Sequence, residues 1–111
     1  MKRGQSKFNA VLAQAVQEGL DSIGPSISDA VLLHLQRTSA IRSDRHFVDP
    51  EAFEDGLKNI FGYGAKVIEK RILEVLYMKL EAPRKIGGDF RFSEEVRKAQ
   101  KLLSSAEILI T

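Results

Sequence analysis

Residues Asp49 to Leu80 read DPEAFEDGLKNIFGYGAKVIEKRILEVLYMKL, and this stretch decides the fold. Asp49 suits a helix cap, and Glu51 suits the positive end of the helix dipole. Pro50 suits the first helical position, where a backbone amide would have no partner in any case. Phe53, Leu57, Ile60 and Phe61 follow at helical spacing, and Gly62 supplies the stop. Only Tyr63 and Gly64 precede the next helix, about Ala65 to Leu80, so these two helices must be neighbours in space. The second of them carries Val67, Ile68, Ile72, Leu73, Val75, Leu76, Met78 and Leu80, apolar residues on more than one side. A helix of that kind belongs at the centre of a bundle or at a self-association surface, and the pattern alone does not choose.

Upstream, Phe8, Val11, Leu12, Ala15, Val16 and Leu20 form one stripe of a helix from about Lys7 to Ser22, ended by Gly24-Pro25. Ser26 then reads as an N-cap, with Asp29 three residues on in the manner of a capping box. Ile27, Val31, Leu32 and Leu35 supply the buried side of this second helix, which fades near Arg37-Thr38-Ser39. From Ser39 to Val48 the chain reads as a basic connection.

Downstream, Ala82-Pro83 ends the fourth helix and Ile86-Gly87-Gly88-Asp89 signals a turn. A very short hairpin over 86–92, using Ile86 and the alternation Phe90-Arg91-Phe92, is one reading of that turn. Ser93 is placed to cap a fifth helix with Val96, Ala99, Leu102, Leu103 and Ala106 on its apolar side. The expected fold is therefore all-α: one domain over residues 1–111, a compact bundle of about five helices with the fourth at its centre.

The 111 residues, 43% of them hydrophobic and 29% charged, suffice for one modest core, and six Phe against no Trp make that core mainly aliphatic. With no cysteine, disulfides and thiolate metal sites are excluded. Glu18 and Asp21 interrupt the apolar pattern before a signal sequence or membrane span could be completed, so a cytoplasmic protein with no membrane association is expected.

A catalytic site is not expected. His34 lies in the second helix without a ligand at metal-binding spacing, which favours a structural or half-buried residue, and His46 lies in the basic connection. Ser28, Ser39 and Ser43 lack a nucleophile elbow. Glu51, Glu54 and Asp55 cluster where the helix dipole alone favours carboxylates. The Gly62-Tyr63-Gly64-Ala65-Lys66 joint has neither phosphate-loop spacing, so it reads as a tight helix–helix turn. An enzyme would need His34 or His46 beside a carboxylate such as Glu69 or Glu74. No catalytic, cofactor-binding or metal-ligating residue is assigned, and no cofactor.

The candidate sites are surfaces. Arg42 and Arg45 in the connection, with Arg97 and Lys98 in the basic last helix, are candidate nucleic-acid contacts, although the net charge is only +2. Ile72, Val75, Leu76 and Met78, with Ile108 and Ile110 at the end of the chain, are candidates for self-association.

Two stretches carry a resemblance. One runs from Phe8-Asn9-Ala10-Val11-Leu12 through Glu18-Gly19-Leu20-Asp21-Ser22-Ile23-Gly24 to Ala30-Val31-Leu32-Leu33-His34-Leu35, and the other is Leu57 to Glu69, continuing to Ile72 and Leu76. Residues 8–81 resemble small archaeal helical proteins of unknown function, similar to the Nitrosopumilus output domain. The resemblance implies an all-helical fold and a regulatory or protein-interaction role as a signalling output module. It brings no catalytic residues, and it leaves the turn and additional helix of 82–111 unmatched. The expected partner is thus another protein or a second copy of the chain. The alternative is nucleic acid, held by the basic connection and the basic C-terminal helix.

Overall fold

The computed structural model describes residues 2–38, 40, 48–82 and 84–110, with side chains between 7 and 103. The described residues are helical without strands. Their α-helices are α1 (Lys2–Asp21), α2 (Pro25–Arg37), α3 (Pro50–Phe61), α4 (Ala65–Lys79) and α5 (Phe92–Ile110), with one 3-10 turn at Gly62–Gly64. The molecule measures 41 × 31 × 21 Å. Its shortest dimension is about two helix diameters, so the helices form two layers.

Helices α1, α3, α4 and α5 make the body, and α2 is laid along α1. α4 packs against α1, α3 and α5, while α5 in turn packs against α1, α3 and α4. The central position expected for α4 is therefore shared with α5. Nor is α4 enclosed, because Val67 and Met78 are 74% and 64% exposed.

The α1 stripe is buried as its spacing requires: Phe8, Leu12, Ala15, Val16 and Leu20 all lie in the core. Gly19 permits the closest helix contact. A Cβ built there would lie 2.4 Å from Ile72 Cγ1 and 3.2 Å from Ile72 Cα, so α1 and α4 approach to a distance that leaves no space for a side chain. Gly56 of α3 instead leaves room for a side chain, since a Cβ there would meet Leu35 Cδ2 of α2 at 2.5 Å.

The start of α3 matches its sequence signals. Asp49 Oδ1 accepts from the amides of Glu51 (3.1 Å) and Ala52 (3.3 Å), and Pro50 occupies the first turn. Gly62, at φ 59°, ends the helix in a left-handed conformation that suits glycine. The Asp49 amide also donates to the Ala40 carbonyl at 2.8 Å, drawing together the two ends of the α2–α3 connection.

Four local expectations are corrected. Ser26 does not cap α2; the helix begins at Pro25 with Gly24 as the flanking residue, because proline is pre-set for the first helical turn. Ile27 lies on the exposed side of α2 rather than the buried one, where Ser28, Val31, Leu32 and Leu35 sit instead. Ser93 does not cap α5 either, since that helix begins at Phe92 and Ser93 is buried in its first turn. Residues 86–92 form no hairpin: Ile86 and Phe90 are drawn into the core as separate anchors, and arms this short have too few ladder bonds to compete.

Candidate functional site

The face that α4 turns to the core contains two polar groups among its aliphatic neighbours, Glu69 and Tyr77, and they are treated differently. The Tyr77 hydroxyl donates to the Glu95 carboxylate (3.1 Å), with the Glu95 carbonyl also in reach at 3.2 Å. Lys98 (3.3 Å) and Arg84 (3.6 Å) complete the surroundings of the buried Glu95 carboxylate. Burial, and then the bond to Glu95, push the phenol pKa of Tyr77 up. This cluster joins α4 to α5 and is internally satisfied.

Glu69 is not satisfied. Only 2% exposed, its Oε1 has no hydrogen-bond partner among the described residues. The Lys66 ammonium lies 3.8 Å away but gives its short hydrogen bond to the Phe90 carbonyl, at 2.7 Å, and sits 4.6 Å over the Phe90 ring. Burial pushes the Glu69 carboxyl up to about 7, with Lys66 opposing the shift and Glu54 of α3 adding to it. The ion pair loses this contest because a distant, otherwise engaged cation does not offset desolvation. Glu54 in turn faces Arg91 at 3.8 Å.

A shallow groove of about 200 Å³ runs between α1, α5 and the start of α3. Phe8, Leu12 and Val96 line it, with Asn9, Glu51 and Arg97 also at its edge. It is below the ~300–1,000 Å³ of ordinary small-molecule sites, and Glu51 and Arg97 pair with each other. Among the described residues no three of His, Asp or Glu are placed to hold a metal ion. His34 is exposed, not half-buried as expected, and the charged neighbours that act on Glu69 are Lys66 and Glu54. Glu74 is half-buried on α4, and His46 lies outside the described residues.

The surface candidates fare unevenly. Arg42 and Arg45 lie outside the described residues. Arg97 is paired to Glu51 and Lys98 to Glu95, so the basic helix meets carboxylates of its own chain. Phosphate would have to compete with those contacts. Of the self-association residues, Ile72 and Leu76 are fully buried and Val75 nearly so, so their place is the core rather than an outer surface. Met78 alone of the four is exposed, and the side chains of Ile108 and Ile110 lie outside the described residues.

The exposed apolar residues missed as a group are Tyr63, Val67 and Met78, the first wholly exposed at the α3–α4 joint. Val67 and Met78, eleven residues or about three turns apart, share the outer side of α4, and Tyr63 lies in the 3-10 turn just before that helix. The spacing was visible in the sequence, but the side of α4 that meets water is set by where α1, α3 and α5 pack. No helix among the described residues is long and apolar enough to cross a membrane. Comparison with protein-family models, curated proteins and solved structures gives no match to this chain.

Proposed function

We propose that this chain is a non-enzymatic protein-interaction module of regulatory type, and that the outer face of α4 is its contact surface. One observation carries this: α4 has a filled inner face and yet displays Val67, Met78 and the adjoining Tyr63 to water. Scattered exposed apolar residues are ordinary, whereas two on one side of one helix with a third at its entry turn make a surface of the kind that binding buries. The resemblance of residues 8–81 to small archaeal helical proteins of unknown function, similar to the Nitrosopumilus output domain, supports the regulatory setting.

The test is photocrosslinking in extract of the source cells, with benzoylphenylalanine placed at Val67 and, as a control, at Asp55 on the exposed side of α3. Protein adducts specific to position 67 are expected. Adducts at neither position, or the same adducts at both, contradict the reading. Adducts removed by nuclease would move the assignment to the nucleic-acid alternative.

A further inference from the structure

Four outward residues of α4 lie in a narrow row: Val67, Arg71, Glu74 and Met78. Their spacing of four, three and four residues is that of a helix–helix seam, in which alternate steps keep side chains facing a second helix. Val67 and Met78 are 74% and 64% exposed, Arg71 is exposed and Glu74 is half-buried. Among the described residues, neither Arg71 nor Glu74 belongs to any ion pair, whereas Lys66 and Lys79 of the same helix lie within ion-pair distance of Glu69 and Glu18.

The order of this row is apolar, basic, acidic, apolar, and that order selects its own partner. In a two-fold antiparallel helix pair, residues equally far before and after a common midpoint face each other. Val67 lies as far before the midpoint of Ile72 and Leu73 as Met78 lies after it, and Arg71 and Glu74 share the same midpoint. One register therefore sets both apolar residues against apolar residues and both charges against opposite charges. A parallel pair would set Arg71 against Arg71 and Glu74 against Glu74, a repulsive arrangement. An unrelated partner helix has no reason to meet this symmetry.

Resting on the reading of α4 as a contact surface, we infer that this face pairs antiparallel with α4 of a second copy, Val67 against Met78 and Arg71 against Glu74. The seam spans about 16 Å at 1.5 Å per residue, and contact of that length buries well under the ~800 Å² per partner of a standard stable interface. The dimer is accordingly weak and reversible, forming with concentration.

Sedimentation velocity of the full chain tests this, comparing the wild type with R71E, E74R, the double variant R71E/E74R, and M78D. The wild type is expected to pass from monomer to dimer between about 10 μM and about 1 mM. Each single reversal should weaken association by about tenfold or more, because it sets like charges against each other at both symmetry-related contacts. The double variant restores opposite charges and should recover dimerisation, while M78D should abolish it. Arg71 and Met78 are exposed and Glu74 is half-buried, and circular dichroism should show unchanged helix in every variant. A wild type that is monomeric throughout overturns the pairing, as does a dimer indifferent to the single reversals or a double variant that fails to recover. Monomeric wild type together with position-67 crosslinks to a different protein overturns self-pairing while leaving the contact-surface reading in place. Absence of crosslinks strikes at that reading itself.

Discussion

The two faces of α4 invert the usual arrangement. Inward, among Ile68, Ile72, Leu73 and Leu76, the helix buries Glu69 and Tyr77; outward, between charged residues, it exposes Val67 and Met78. The inner polar groups are explained by what lies across from them, fully for Tyr77 through Glu95 and incompletely for Glu69. Among the described residues the outer apolar pair stays mostly exposed. The difference teaches that polarity by itself does not tell inside from outside on this helix. Packing neighbours do, and it is the row of outward α4 residues, rather than any single exposed apolar side chain, that the proposed contact uses.

The largest expected effect breaks the comparison from the inside. Leu73→Ala, at a fully buried position, should lower stability by about 2–5 kcal/mol in urea unfolding. Met78→Ala on the other face should change it by less than about 0.5 kcal/mol. Equal losses at the two positions would mean that the outer face is part of the fold.

Next in size is Glu69. Its folded carboxyl titrates near 7 against 4.5 for the free side chain, so the native state holds a proton that the unfolded chain releases. Stability from this group is fully present below pH 4.5 and is lost as pH rises through about 7, by an amount on the order of 3 kcal/mol at most. Glu69→Gln should remove that dependence and leave the variant more stable than wild type at pH 8. Parallel stability–pH curves for the two proteins would show that Glu69 stays charged in the fold.

Tyr77→Phe should cost about 1 kcal/mol by removing one buried hydrogen bond to Glu95, whose carboxylate keeps Lys98 and Arg84. The smallest effect on folding belongs to Val67→Ser, expected within about 0.5 kcal/mol of wild type, yet this change should weaken self-association in sedimentation.

Much of the framework was legible before the structure. Asp49-Pro50-Glu51 and Gly62 bracket α3 because cap chemistry and backbone freedom are local properties, and the α1 stripe from Phe8 to Leu20 is buried because only one side of it is apolar. Caps at Ser26 and Ser93 were misplaced because a hydroxyl near a helix start does not fix the residue at which the backbone turns; Pro25 and Phe92 are already helical. The candidate surface was legible only in part. With apolar residues on both sides of α4, the helical period could not say that Ile72 and Leu76 face α1 and its neighbours while Val67 faces water. Glu69 does stand at helical spacing with Ala65, Ile72 and Leu73, but on a helix apolar on more than one side a lone carboxylate reads as solvated, and only the packing of α4 shows it to be buried.

Amide chemical shifts of the labelled protein, followed from dilute to concentrated solution, test the division between the two faces most directly. Concentration-dependent shifts confined to the Tyr63–Met78 side of α4, with the core amides around Leu12, Leu35 and Val96 unmoved, are the predicted result. Shifts centred on α2 or on the Phe8–Arg97 groove, or none at any concentration, would contradict it.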